Sequence, residues 1–110
     1  MTNREIARAY LRCFCEGDVG GLAPLLAPDL SFTGTTHTYH SAEAYLRSLR
    51  ADPPEKCACR LLSLTEDGDS VAVFYEYVKP EHVMTIAQLF EVRNQQINKI
   101  LLVFDGRGFT

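Results

Sequence analysis

The side chain with the clearest chemical signature in this sequence is Gln88. It is a lone amide on a predicted strand face that otherwise carries the apolar residues Met84, Ile86, Phe90 and Val92. A buried amide needs hydrogen-bond partners, because an unpaired polar group away from water costs free energy. Two interpretations stay open: Gln88 bonds to a neighbouring side chain or buried water, or it presents a donor and an acceptor to a ligand.

Three further side chains could take part in chemistry near such an amide. Tyr10 lies on the apolar face of the first predicted helix, so its hydroxyl either bonds to the backbone in the core or donates to a ligand carbonyl. His37 stands in a polar loop and could act as a base near neutral pH, and Asp105 ends the last predicted strand and could act as an acid. The alternatives are an exposed loop histidine and an aspartate that caps a turn. His37, His40 and a carboxylate could bind a metal, but nothing fixes a third ligand, so we expect no metal.

The composition limits the classes of protein and partner. The 110 residues, 46% of them hydrophobic and 23% charged, predict one domain, 1–110, with a sizeable core. A net charge of -3 offers no basic surface for nucleic acid. No apolar run reaches the ~18 residues of a membrane span, and the N-terminus shows no secretory signal. We therefore expect a cytoplasmic protein without a cofactor.

The four cysteines form two Cys-x-Cys pairs, Cys13/Cys15 and Cys57/Cys59. On a helix, Cys13 and Cys15 would point about 200° apart. Structural zinc sites usually space their ligands more widely, so a four-thiolate metal site is not favoured. We expect reduced thiols that fill the core as small hydrophobic side chains, with a disulfide or redox use as the alternative.

Three helices are expected in the first half of the chain. Thr2 and Glu5 form a capping-box pattern ahead of an apolar stripe at helical spacing, and Gly17 fits the C-terminal stop of this helix. Asp18 fits the N-cap of a short, leucine-rich second helix, and Ser41 can cap a third.

The apolar period then changes from 3.6 to 2, which predicts strands. A short strand is expected at 30–34, before the third helix, and four strands follow it: 57–65, 71–78, 83–92 and 97–104. In strand 57–65 the alternation of apolar side chains shifts by one residue between Leu61 and Leu62, which predicts a bulge. Strand 97–104 is apolar on both faces, which predicts a central strand. The pattern indicates an α+β fold, a cone-shaped curved antiparallel sheet wrapped on three N-terminal helices. Such a cone encloses a natural ligand site.

At this point the chain resembles the nuclear transport factor 2-like superfamily, and most closely its SnoaL-like and ketosteroid-isomerase-like branch. The segments that carry the resemblance are 10–18, 22–26, 27–30 and 102–107. They match a first helix that ends in Gly-Asp, a leucine-rich second helix, an Ala-x-Asp entry into the first strand and the family's chain ending. The resemblance covers almost the whole chain and implies a cystatin-like α+β roll. That fold hosts isomerases, cyclases, dehydratases, epoxide hydrolases and non-catalytic binders.

The isomerase pattern implied by this resemblance is incomplete. Tyr10 matches the family's oxyanion tyrosine, and Phe104 matches a pocket aromatic near the chain end. Gln88 stands where the family has a protonated aspartate, and Gly34 stands where it has the base aspartate. A tyrosine and an amide can polarise an oxygen but cannot abstract a carbon-bound proton, so steroid isomerase activity is not expected.

The function expected from the sequence is the binding of a small hydrophobic molecule in an apolar pocket. The residues expected to bind the ligand are Tyr10, Phe32, Gln88, Phe90 and Phe104. One alternative is an acid–base enzyme for a small hydrophobic carbonyl substrate, with His37 or Asp105 as the catalytic group. The other is a dimerisation module with a filled cone.

The outer face of the sheet predicts association. Parity alone does not show which face of strand 71–78 lines the pocket. An apolar outer face is suggested by five residues: Tyr75, Tyr77, Leu89, Leu101 and Val103. We expect a homodimer through this open face.

Overall fold

The computed structural model describes residues 1–104 and shows three helices packed against one face of a curved six-stranded sheet. The helices are α1 (Asn3–Glu16), α2 (Val19–Leu22), which continues into a 3₁₀ turn (Ala23–Leu25), and α3 (Ala42–Ala51). The strands are β1 (Leu26–Thr33), β2 (Thr38–Tyr39), β3 (Ala58–Asp67), β4 (Ser70–Lys79), β5 (His82–Arg93) and β6 (Gln96–Phe104). The α+β cone expected from the sequence is confirmed. None of the helices in 1–104 is both long and apolar enough to cross a membrane.

The sheet has the strand order β2-β1-β6-β5-β4-β3. β3 to β6 form the expected antiparallel meander, and β6 is an interior strand, as its two apolar faces predicted. The sheet as a whole is mixed, because β1 pairs in parallel with β6. Parallel neighbours need a long connection, and α3 with the four strands β2 to β5 supplies it. β1 begins four residues earlier than expected, at Leu26, and lies between β2 and β6.

The ends of the helices follow their local sequence. Thr2 and Glu5 form the complete capping box of α1, and Ser41 accepts a hydrogen bond from the backbone N–H of Ala44 to cap α3. Gly17 ends α1 in the left-handed region, with φ 72°. A Cβ there would lie 3.0 Å from the backbone oxygen of Pro54, so the end of α1 packs directly under the segment that leaves α3.

The predicted bulge in β3 is confirmed, because the pairing of β3 with β4 shifts register between Leu61 and Ser63. The bulge increases the curvature of the strand. On β4, Tyr75 and Tyr77 are buried and face the helices, whereas Phe74 is 51% exposed on the other face. The assignment of both tyrosines to the outer face was therefore wrong. A tyrosine ring buries more apolar area against the helices than the glutamate of the opposite parity would.

The expectation of four reduced core cysteines was also wrong, because Cys15 and Cys59 form a disulfide across 6.2 Å between their Cα atoms. Cys13 and Cys57 are free thiols. Two residues apart on the helix, Cys13 faces Gly21 while Cys15 reaches the edge strand β3. The disulfide thus joins the end of α1 to the start of β3.

Candidate functional site

A cavity of about 560 Å³ lies between the helices and the inner face of the sheet. Its walls come from α1, α3, the segment after α3 and four strands: Tyr10, Phe14, Phe32, Tyr45, Leu49, Asp52, Pro53, Pro54, Glu55, Tyr75, Tyr77, Lys79, Met84, Ile86, Gln88, Leu102 and Phe104. Most of this lining is aromatic or aliphatic.

A polar network lies on one wall of the cavity. The hydroxyl of Tyr75 donates to Oε1 of Gln88 at 3.0 Å, and the Gln88 side chain also hydrogen-bonds to Tyr10. The hydroxyls of Tyr10 and Tyr45 share a short hydrogen bond between α1 and α3. Gln88 is 4% exposed, so this network supplies the partners that a buried amide needs. Gln88 therefore bonds to neighbouring side chains and at the same time lines the cavity.

The tyrosines of this network are neutral hydroxyls over the ordinary pH range. Burial is the largest cause that raises the pKa of Tyr10, Tyr45 and Tyr75, since a phenolate loses its hydration there. The neighbouring tyrosine raises the pKa of Tyr10 further, while the hydrogen bond from Gln88 works in the opposite direction. These groups can donate hydrogen bonds, but they are poor proton acceptors.

Aromatic rings fix the network in place. Phe32 stacks on Tyr45 with the ring centroids 4.6 Å apart, and it lines the cavity. Phe90 meets the ring of Tyr10 edge-on at 5.0 Å. Phe90 is fully buried and lies outside the cavity lining, so it supports Tyr10 from behind. Phe104, at the end of β6, lines the cavity.

The mouth of the cavity carries its charged groups. Glu55 forms an ion pair with Lys79 at 3.0 Å, and the hydroxyl of Tyr77 donates to the backbone oxygen of Glu55 at 2.5 Å. The Lys79 ammonium also lies over the Tyr77 ring, 5.6 Å from its centroid. Asp52 is exposed on the same rim. These contacts tie the segment after α3 to the end of β4.

Of the two predicted acid–base residues, the structure describes His37, which lies away from the cavity. His37 is exposed, its Nδ1 shares a 2.8 Å hydrogen bond with the Thr36 hydroxyl, and it is not part of the cavity lining. Gly34 begins the turn beside it, directly after β1, its backbone N–H donates to the backbone oxygen of His37 at 2.8 Å, and a Cβ there would lie 3.1 Å from the Phe32 ring. Asp105 falls outside the described residues. Within 1–104, no group of three or more His, Cys, Asp or Glu side chains could hold a metal.

Tyr45 and Tyr75 are the site residues that the sequence predictions missed. Tyr45 belongs to the apolar stripe of α3, and Tyr75 alternates with apolar residues on β4. Each pattern is also typical of an ordinary core tyrosine. The signal that could have found them is the number of phenolic hydroxyls on inward faces, since each needs a buried partner.

The comparisons with known proteins agree with this fold. The family model of the SnoaL-like domain matches residues 7–100. An NTF2-like protein of unknown function from Cytophaga hutchinsonii superposes with a TM-score of 0.84, at 16% identity over 98% of this chain and 94% of that one. A proposed ketosteroid isomerase from Kribbella flavida gives 0.81, at 19% identity over 98% and 87%. A LEH-like epoxide hydrolase from M. tuberculosis gives 0.79, at 16% identity over 94% and 82%.

These structures share the fold with this chain, and their low identities carry no activity over to it. Among curated proteins, the sequence finds no significant match. The family model, in contrast, runs from within α1 to within β6 and so covers most of the helices and most of the sheet. The chain therefore belongs to the SnoaL-like domain family.

Proposed function

We propose that this SnoaL-like domain binds a small, largely apolar molecule that carries a hydrogen-bond acceptor such as a carbonyl oxygen. The observation that carries this proposal is the network of Tyr75, Gln88, Tyr10 and Tyr45 on the wall of an otherwise apolar cavity. A volume of about 560 Å³ lies within the ordinary range for small-molecule pockets.

The hydrogen count of the network favours an acceptor on the ligand. Three hydroxyls and one amide NH₂ offer five donor hydrogens in total. The bonds from Tyr75 to Gln88, from Gln88 to Tyr10 and between Tyr10 and Tyr45 use three of them. Two hydrogens are left for an acceptor in the cavity. A ligand oxygen that meets them would be recognised by donors that the protein has already oriented.

Binding is favoured over proton abstraction. The tyrosines stay neutral, and within residues 1–104 the carboxylates of the lining are Asp52 and Glu55, which lie at the mouth, with Glu55 paired to Lys79. A general base must come within about 3 Å, or one water, of the proton that it removes. The deep part of the cavity offers donors and rings, which can hold an oxygen and exclude water.

Thermal-shift and calorimetric titrations with acetylnaphthalene and isopropylnaphthalene would test this proposal. The two compounds have nearly the same shape, but isopropylnaphthalene has a CH–CH₃ group in place of the carbonyl. We expect acetylnaphthalene to bind about tenfold more tightly, the value of one hydrogen bond of ~1.4 kcal/mol. Gln88→Leu should abolish this preference, and Thr85→Val, on the outer face of β5, should retain it. The proposal fails if neither compound binds, or if Gln88→Leu leaves the preference unchanged.

We also propose that a second copy of the chain covers the outer face of the sheet. The outer face carries a row of paired apolar residues: Phe74 on β4, Ala87 on β5 and Val103 on β6. The next row contains Leu89 on β5 and Leu101 on β6. Phe74 and Val103 are 51% and 53% exposed. A self-complementary apolar patch of this kind suits an isologous dimer.

Charged pairs flank this patch at both ends, Arg60 with Glu76 and Lys99 with Glu91. Each end is neutral, so a two-fold-related copy meets no uncompensated charge. Sedimentation at micromolar concentration should show a dimer that Phe74→Glu converts to a monomer. Ala51→Glu, on the helical side, is the matched control. A monomeric unmodified chain would contradict this proposal.

We further propose a cytoplasmic location, in which the Cys15–Cys59 disulfide would be transient, as cytosolic disulfides usually are. Cell fractionation should then recover the protein in the cytoplasmic fraction. Acid trapping of thiols should show that Cys15 and Cys59 are both reduced in part of the molecules. Recovery in an exported fraction alone would contradict it.

A further inference from the structure

A second cavity, of about 490 Å³, lies between α1 and the edge strand β3, and three of the four cysteines line it. Cys15 and Cys59 form the disulfide, and Cys57 is a free, half-buried thiol. We propose that this cavity is a thiol–disulfide exchange site for small anionic thiols, in which Cys57 completes the exchange. The proposal is independent of the ligand cavity.

Cys57 lies beside both cysteines of the disulfide. Its backbone N–H donates to the backbone oxygen of Cys15 at 3.0 Å. Residues joined in this way have Cα atoms roughly 5–6 Å apart, which a disulfide can span. Cys57 directly precedes β3, two residues before Cys59, and both cysteines line this cavity. The sulfur of Cys15 is therefore within reach of either partner.

Charge selects the incoming thiol. Arg8 and Arg12 lie one turn apart on α1 and line the same cavity, which also holds the carboxylate of Glu16. Within residues 1–104 neither guanidinium forms a salt bridge with a carboxylate. Two guanidiniums against one carboxylate favour an anion. A thiol that bears carboxylates, such as the tripeptide glutathione, has this chemistry and fits the volume.

The exchange proceeds in two balanced steps. The thiolate of the small molecule attacks Sγ of Cys15, the bond to Cys59 breaks, and Cys59 leaves as a thiolate that takes up a proton. The thiol of Cys57 then loses its proton to solvent and attacks Sγ of Cys15, which expels the small thiolate. The disulfide has moved from Cys59 to Cys57, the number of disulfides is unchanged, and the small thiol is regenerated.

These two steps are tested by adding glutathione, in the absence of air, to the protein that carries the Cys15–Cys59 disulfide. After acid quenching, intact mass detects bound glutathione and peptide mapping identifies the linked cysteines. The unmodified chain should acquire Cys15–Cys57 linkages and retain no glutathione. Cys57→Ser should retain only the Cys15–Cys59 linkage, because Cys59 is then the thiol that expels glutathione from Cys15 by reversal of the first step. Cys13→Ser, which removes a free thiol outside the cavity, should behave as the unmodified chain does. The proposal is overturned if Cys15–Cys57 never forms in the unmodified chain, or if it forms at the same rate without glutathione.

A second comparison tests the charge selection. The double variant Arg8→Gln/Arg12→Gln should slow the reaction with glutathione by roughly three- to tenfold at low ionic strength. Its reaction with neutral mercaptoethanol should keep the original rate. Arg47→Gln/Arg50→Gln, on α3, is the control of equal charge change. Equal slowing with both thiols, or no slowing with glutathione, would overturn the assignment of an anionic thiol.

Discussion

The three buried tyrosines of the network predict a steep loss of stability in alkali. Burial raises the pKa of Tyr10, Tyr45 and Tyr75 above the ordinary 10.0. In the unfolded chain the same groups ionise near pH 10, so above that pH the unfolded state binds fewer protons than the folded state. The stability that these groups contribute is fully present below pH 10, and it is lost as the pH rises from there towards the raised pKa values.

The magnitude follows from the number of groups. One hydroxyl that stays protonated only in the folded state costs about 1.4 kcal/mol of stability for each pH unit above 10. Three such hydroxyls cost about 4 kcal/mol per unit. Since domains of this size have unfolding free energies of about 5–15 kcal/mol, the chain should unfold within roughly one to four pH units above 10.

Urea denaturation at a series of pH values, followed by circular dichroism, measures this slope. Tyr10→Phe should reduce the contribution of the three network tyrosines to the slope by about a third, because one of these three ionising groups is gone. Tyr39→Phe, outside the network, is the matched control. The reasoning is refuted if phenolate absorption develops fully near pH 10 while the circular dichroism stays native.

Three more changes should alter stability in urea. Gln88→Leu leaves the buried Tyr75 hydroxyl without its acceptor and should lower the free energy of unfolding by about 2–4 kcal/mol. Adding Tyr75→Phe to the same chain should recover part of this loss. If the double variant loses the sum of the two single losses, the contact is contradicted. Loss of the disulfide between Cys15 and Cys59, 44 residues apart, should cost about 4 kcal/mol in the chain-entropy model, so an unchanged urea midpoint in Cys15→Ser would contradict it. Thr2→Ala removes the N-cap of α1 and should cost about 1 kcal/mol, against no change for Thr36→Ala in the exposed loop.

The sequence was informative where local chemistry decides the structure. The capping box of Thr2 and Glu5 and the stop at Gly17 fix the ends of α1 through short-range hydrogen bonds and backbone conformation. The slip in parity at Leu62 marks the bulge, because one extra residue must turn every following side chain to the other face. The two apolar faces of β6 likewise predicted a central strand, and β6 lies between β1 and β5.

Features that depend on distant partners could not be predicted. The parallel pairing of β1 with β6 joins segments about 70 residues apart, and no local pattern encodes it. The inward face of Tyr75 depends on its burial against the helices, and its hydroxyl bonds to Gln88 on the next strand. The disulfide needs Cys15 on a helix and Cys59 on a strand to meet, which spacing alone does not show.

The central claim is that the Tyr–Gln network recognises an acceptor on a ligand inside the cone. An NMR titration with acetylnaphthalene, which follows the side-chain NH₂ resonances of Gln88, tests it most directly. We predict saturable shifts of these resonances together with the backbone amides of Tyr10 and Tyr45, while the amides around Phe74 stay unchanged. Saturable binding that leaves the Gln88 side chain unperturbed, or shifts confined to the outer face, would contradict the account.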